Sequence, residues 1–330
     1  MSTVRHASRA AIVRAGALLR QGRLVAFPTE TVYGLGADAS NAFAVRRIFD
    51  AKGRPADHPV IVHVTDLAAA ERWSSSMPEG ARALAAAFWP GPLTLIVPRA
   101  ATVPDVVTGG QSSIGLRAPA HPVARALLAE FGGGIAAPSA NRFGHVSPTT
   151  ARHVADDLGD AVDLILDGGA CDLGIESTIV AFTTRTPMLL RPGAIDVGEI
   201  AGVLGRMPVP RDAAAPRASG TLASHYAPRT PATLVAHDAL RAELGQLEDR
   251  DERVAVLAWS VERPDAFDGV WVAAPRDAAA YARGLYASLR TLDAADADAI
   301  LIEQVPDGVA WAAIRDRLER ATSGEDDDRD

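Results

Sequence analysis

Apolar residues recur at helical spacing over residues 9–20, and a short apolar run at 24–27 stops at Pro28. That order predicts a helix followed by a strand, because proline fixes φ and lacks the N–H that a ladder needs. Residues 29–37 hold Thr, Glu, Tyr and two glycines without apolar periodicity and are expected to form a loop. Helical spacing returns at 42–51, 79–88 and 122–131, the last opened by His121 and Pro122. Apolar runs at 60–64, 93–97 and 113–117 read as strands. A further run at 135–137 reads as a strand entering the loop Pro138-Ser139-Ala140-Asn141. A helix at 149–157 and strands at 164–166, 177–182 and 188–190 complete the first region. Strands alternate with helices throughout, so the expected class is α/β.

The pattern fails over residues 208–231, where five prolines and much Ala and Ser predict an extended linker. Its stretch 219–228, Ser-Gly-Thr-Leu-Ala-Ser-His-Tyr-Ala-Pro, is rich in hydrogen-bonding side chains for a tether. A second α/β unit follows, with strands expected at 232–236, 254–259, 270–273 and 299–305 and helices at 277–292 and 309–320. The predicted organisation is therefore a first domain over 1–207, a linker over 208–231, a smaller domain over 232–322 and an acidic tail over 323–330. The tail is expected to be disordered. A length of 330 residues suits two domains.

Charge changes this picture by location. Residues 1–205 carry 18 basic and 18 acidic side chains, whereas 206–330 carry 15 and 23, so the net charge of −8 lies entirely in the second half. Phosphate backbones are held by clustered Lys and Arg, so stable nucleic-acid binding is not expected. The chain has a single lysine, Lys52, in the run Ala-Lys-Gly-Arg-Pro. Lysine is a compact, mobile point charge and Arg54 a flat fork, and a triphosphate uses both shapes. One cysteine, Cys171, leaves no internal disulfide and reads as a small buried residue. No apolar run reaches the roughly 18 residues of a membrane span, and the N-terminus has no cleavable-signal layout, so a cytoplasmic protein is expected.

Several familiar site patterns are missing, among them the phosphate loop with its lysine, the dinucleotide glycine motif, the Gly-x-Ser-x-Gly elbow and His-Glu-x-x-His. A covalent hydrolase or a zinc enzyme is not expected. Four polar clusters instead fall at ends of predicted strands, where open α/β sheets bind ligands. They are Pro28-Thr-Glu-Thr31-Val-Tyr-Gly-Leu-Gly36, then Lys52 and Arg54 with His63, then Arg117 with the 138–141 loop and Ser147, and finally Glu176-Ser177-Thr178 with Arg191. They supply several cations and many hydroxyls but little acid–base equipment. That inventory suits phosphoryl or nucleotidyl transfer, in which positioning and charge stabilisation do most of the catalysis. Singly each has a plainer explanation: Arg117 a surface ion pair, His63 a core histidine, Asn141 a turn residue, Ser177 and Thr178 turn hydroxyls.

Taken together, the ordered motifs resemble the two-domain L-threonylcarbamoyladenylate synthases, a family built on a YrdC-like domain. Residues 8–205 carry Pro-Thr-Glu-Thr-Val-Tyr-Gly-Leu-Gly, Lys-x-Arg-Pro, Trp89-Pro-Gly-Pro-Leu-Thr94, Leu-Arg117-x-Pro, Pro-Ser-Ala-Asn and Glu-Ser-Thr, and the linker carries Ser-His-Tyr-Ala-Pro. The resemblance implies a YrdC-like twisted open mixed sheet followed by a smaller Rossmann-like domain. It also implies a reaction in which L-threonine, bicarbonate or carbon dioxide, and ATP with Mg2+ give threonylcarbamoyl-AMP and pyrophosphate. The product then goes to a tRNA threonylcarbamoyl transferase complex. Carried over, Thr31, His63, Arg117 and Ser177 bind threonine. Arg54, His58, Ser113, Ser139, Asn141, Ser147, Arg191 and Tyr226 bind ATP, and Lys52 with Arg54 is catalytic. No protein-held metal is implied. Tyr226 is expected to act from the linker as a lid.

Two positions depart from the pattern: His58 stands where an asparagine is expected, and Ala137 where a threonine is. Two rivals come from the same resemblance. One is an RNA-binding module without catalysis. The other is carbamoyl transfer for metallocentre maturation, which needs zinc-finger and acylphosphatase domains absent from this sequence.

Overall fold

Val25 and Phe27 pack into one apolar cluster and Ala26 into another, so their strand is covered on both faces. It belongs to the first of two units in the computed structural model, which describes residues 4–213, 215–221, 225–248 and 251–323. The units are Met1–Phe143 with Ser147–Thr221, and Gly144–Val146 with Leu222–Asp330. The boundary at 221/222 lies inside the stretch read as a linker. Ser224 of that stretch and residues 324–330 of the acidic tail lie outside the described residues.

Among the described residues the first unit contains an eleven-stranded mixed sheet. Its strands are β1 (Val4–His6), β2 (Val25–Pro28), β3 (Tyr33–Asp38), β4 (Ile61–His63), β5 (Leu93–Pro98), β6 (Ser113–Arg117), β7 (Ile135–Ala136), β8 (Leu164–Asp167), β9 (Thr178–Ala181), β10 (Met188–Arg191) and β11 (Val209–Pro210). They lie in the order β1-β8-β2-β3-β7-β4-β6-β5-β9-β10-β11. Helices Arg9–Arg20 and Pro122–Phe131 cover one face, where Leu19, Leu127 and Leu128 meet Val25, Phe27 and Leu164. Helices Ala42–Lys52 and Glu79–Phe88 contribute Val45, Ile48 and Leu84 to the core on the other.

The sequence reading needs correction at residues 33–37. The expected loop is strand β3, paired antiparallel to β2 with Phe27 opposite Gly34 and Val25 opposite Gly36. Its glycines hid it, because they lower strand propensity, yet they are required by packing. A Cβ on Gly36 would lie 2.8 Å from Phe27 Cε1 and 2.9 Å from Ile135 Cγ2. The linker reading also shifts: Val209 and Pro210 add an eleventh strand parallel to Met188 and Leu189. Two residues are too few to leave a period in the sequence.

The second unit is a parallel sheet of β12 (Ala232–Val235), β13 (Val254–Ala258), β14 (Val270–Ala273) and β15 (Ala299–Glu303), in the order β12-β15-β13-β14. Helices Leu240–Glu248, Ala278–Asp293 and Ala312–Thr322 accompany it. This is the smaller α/β domain that the sequence predicts. Among the described residues no helix is long and apolar enough to cross a membrane.

Candidate active site

Strands β4 and β6 run parallel with His63 paired to Arg117, so two predicted site residues end side by side. The turn between β2 and β3 faces them. Thr29 Oγ1 accepts from the amides of Thr31 and Val32 at 3.2 Å each and donates to Val32 O at 2.7 Å, a hydroxyl-closed turn. That turn presents Glu30 and Thr31 to the arginine. Arg117 Nη2 donates to Glu30 Oε1 at 2.7 Å, Nη1 to Thr31 Oγ1 at 2.8 Å, and Nε to Gly91 O at 3.3 Å. Burial pushes the Glu30 carboxyl up, but the Arg117 charge and hydrogen bonds outweigh it and leave it below the usual carboxylate value. His63 is buried against the edge of Phe27, and its Nδ1 has no hydrogen-bond partner among the described residues. Burial, then the Arg117 charge, push its pKa down to about 3, so the ring is neutral at physiological pH.

The cationic half forms where helix Ala42–Lys52 stops. Asn41 caps its start by accepting from the amides of Phe43 and Ala44, and Gly53 ends it in the left-handed region at φ 64°. That reversal delivers Lys52 and Arg54 to the same neighbourhood. Lys52 Nζ donates to Ser139 O at 2.7 Å and to Asn141 O, both in the loop after β7. These partners are carbonyls, and among the described residues no carboxylate neutralises the ammonium at contact distance. Burial and the like charge of Arg54 push its pKa well below the ordinary value. Arg54 donates from Nη2 to Pro59 O at 3.0 Å and lies over the Phe143 ring. His58, half-buried, meets the same ring edge-on at 5.3 Å, and burial with the Arg54 charge lowers its pKa. Ala137 is buried and its amide donates to Ile61 O, so only backbone is on offer there.

A third group surrounds β9 and β10. Ser177 Oγ lies 2.8 Å from Thr94 Oγ1 and accepts from Arg191 Nη2 at 3.2 Å. Arg191 also donates to Ser177 O at 3.1 Å and to Ser219 O at 2.8 Å. A small cavity here is lined by Pro59, Thr94, Ser113, Gln111, Arg217 and Ser219, all within the first unit. Ser147 donates to Glu176 Oε1 at 2.6 Å. Gly193 is required by close approach, since a Cβ there would lie 2.4 Å from Thr178 N.

The first unit thus holds the predicted residues in three groups: Thr31, His63 and Arg117; Lys52, Arg54, His58, Ser139 and Asn141; and Ser113, Ser177 and Arg191. Ser147 stands with Glu176. Tyr226 belongs to the second unit. There its ring is fully buried, stacked at 5.7 Å on Tyr286 and under the Arg317 guanidinium at 5.4 Å, with a left-handed φ of 65°. Sequence reasoning gave no role to Glu30, Glu176 or Thr94. All three stand inside the quoted motifs, but a carboxylate in a site for anionic substrates reads as a mismatch until its arginine or hydroxyl partner is seen. Cys171 is buried, and burial pushes its thiol pKa up, away from reactivity.

Comparison with known proteins places the chain in a family. The Sua5/YciO/YrdC model, described as telomere recombination, matches residues 17–193, and the model described as threonylcarbamoyl-AMP synthase, C-terminal domain, matches 195–323. The chain is 39% identical over 320 residues to a threonylcarbamoyl-AMP synthase of Pyrococcus abyssi, covering 93% of each chain. It is 40% identical over 326 residues to that of Bacillus subtilis, covering 95% of this chain and 93% of the relative. The crystal structure of Pyrococcus abyssi Sua5 complexed with L-threonine superposes with a TM-score of 0.89 at 37% identity, over 98% of this chain and 97% of that one. With both family models placed in order and the relatives covered almost end to end, the chain belongs to the Sua5/YciO/YrdC family, in its two-domain threonylcarbamoyl-AMP synthase form.

Proposed function

We propose that the chain condenses L-threonine, bicarbonate or carbon dioxide, and ATP into threonylcarbamoyl-AMP and pyrophosphate. The observation that carries this reading is the His63–Arg117 pair at adjacent strand ends of the sheet whose next loop gathers Lys52. One part suits an amino-acid carboxylate and the other a polyphosphate. Threonine's ammonium gives up a proton, bicarbonate takes one up and loses water to leave carbon dioxide, and the free amine adds to that carbon, shedding a second proton to leave the carbamate. A carbamate oxygen then attacks the α-phosphorus, and the bond to the bridging oxygen breaks to release pyrophosphate.

In this reading Arg117 holds the threonine carboxylate with its remaining N–H groups. Neutral His63 accepts a hydrogen bond through Nδ1 from the threonine nitrogen, and Thr31 and Ser177 offer hydroxyls. Lys52 and Arg54 stabilise charge on the α-phosphate and the leaving pyrophosphate. Ser113, Ser139, Asn141, Ser147, Arg191 and His58 contact the nucleotide. Mg2+ enters with ATP as part of the substrate, held mainly by phosphate oxygens and water, and neutralises phosphate charge. The product passes to a tRNA threonylcarbamoyl transferase complex in the cytoplasm. The test is pyrophosphate release that requires both threonine and bicarbonate. Release independent of either one overturns the reading.

A further inference from the structure

Glu30 sits where a threonine pocket has no evident use for it, because its carboxylate competes for the same guanidinium that the amino acid needs. Its surroundings explain it. Oε1 accepts from Arg117 Nη2 at 2.7 Å, while Oε2 accepts from the amides of Ala120 at 3.0 Å and His121 at 3.4 Å. Both Glu30 and Arg117 are almost completely buried. The carboxylate is therefore fixed from the far side by backbone and does not stand in for substrate. Of the five N–H groups of Arg117, three are committed, to Glu30, Thr31 and Gly91. Two remain, one on each terminal nitrogen, and their direction is set by the three that are held.

We propose that Glu30 is the positioning residue of the threonine site: it bridges the backbone of residues 120–121 to Arg117 and aims the free edge of the guanidinium at the substrate carboxylate. This rests on the reading of Arg117 given above. The chemistry calls for a carboxylate and for nothing isosteric with it. Donors approach from both sides, two amides on one and the guanidinium on the other. A glutamine has one acceptor atom, so its NH2 must oppose an N–H on one side or the other. An aspartate keeps both acceptors but is one methylene too short to reach both sets. The same bridge keeps a desolvated arginine charge compensated before substrate arrives, and an unmatched buried charge is the alternative.

The test is a double-mutant cycle on threonine and ATP affinity, measured by calorimetry on the full chain with Glu30→Gln, Glu30→Asp, Arg117→Ala and the Gln/Ala double variant. Losing a well-aimed hydrogen bond to a charged group costs about tenfold to a hundredfold. Glu30→Gln should therefore weaken threonine by about tenfold to a hundredfold, with ATP affinity unchanged. In the double variant the loss should not exceed that of Arg117→Ala alone. If Glu30→Gln does not fold, Glu30→Asp, which keeps the charge, must show the same selective loss. Threonine affinity unchanged in the folded Glu30 variants, while Arg117→Ala weakens it, overturns the positioning role. Equal loss of threonine and ATP, or additive losses in the double variant, overturns it too, since a general packing role gives that result. Unchanged threonine affinity in Arg117→Ala instead overturns the reading of Arg117 itself.

Discussion

Lys52→Arg is the substitution that separates charge from shape in this site. Lys52 is 2% exposed and spends two of its three N–H groups on the carbonyls of Ser139 and Asn141, leaving one for a phosphate oxygen. A guanidinium can still donate to those carbonyls, so the loop keeps partners and the fold should survive. Its wider, planar head must however enter a pocket shaped for an ammonium, which costs about 1–3 kcal/mol in overpacking. That is within the roughly 5–15 kcal/mol of a typical domain. The catalytic loss is separate: withdrawing one preorganised donor from a developing charge costs about 2.7–4 kcal/mol, roughly a hundred- to thousandfold in rate. Pyrophosphate release with saturating threonine, bicarbonate and ATP reads the rate, and a thermal melt reads the fold. A variant that melts like the parent and turns over near the parental rate refutes the argument that this position needs lysine.

Three further outcomes follow from the same geometry. Arg117→Ala should weaken threonine by about 2–5 kcal/mol and leave ATP nearly untouched, and equal weakening of both ligands in separate titrations would show the residue to be shared or structural. The His63 pKa, lowered to about 3 by burial and Arg117, makes acid stability a test of its environment. Above about pH 6.5 neither state binds the proton. Below it the unfolded chain takes a proton the folded ring refuses, so stability falls by about 1.4 kcal/mol per pH unit until the folded pKa is reached. Denaturant melts of His63→Gln should thus lose about 2 kcal/mol less than the parent between pH 6.5 and 5, and identical slopes would exclude the neutral buried ring. Tyr226→Phe keeps the stack on Tyr286 and removes only the hydroxyl. Lost product yield with an unchanged melt supports the nucleotide contact expected from the sequence, whereas unchanged yield leaves Tyr226 a packing residue.

The strand Ser113–Arg117 was legible to the residue, because a central strand buried along nearly its whole length leaves an apolar run bounded by polar ends. Strand Tyr33–Asp38 was not, since the glycines that let Phe27 and Ile135 lie on its backbone erase the signal used to find strands. The site followed a similar division. Residues expected to face ligands, such as Lys52, Arg117 and Ser177, stand in recognisable motifs, and their grouping came from the family resemblance those ordered motifs carry. Residues that act through other residues escaped. Glu30 is a lone acid in sequence, and its meaning depends on Arg117, which is 87 positions away. Thr94 and Ser177, 83 positions apart, become a hydroxyl pair only through the parallel pairing of β5 with β9. Periodicity reports local geometry, so partners joined across strands stay invisible until the register is known.

The solitary, sequestered amine of Lys52 also makes the protein its own reporter. With the terminal amine set aside, an acylating reagent has one nitrogen to find in 330 residues, and that nitrogen is 2% exposed. Its lowered pKa raises the share of the nucleophilic free-base form, so labelling is governed by access more than by protonation. The rate of modification therefore counts how often the helix end and the 139–141 loop part company. A nucleotide that rests on Lys52 should slow that rate, giving a measure of occupancy without an added dye or an engineered tag.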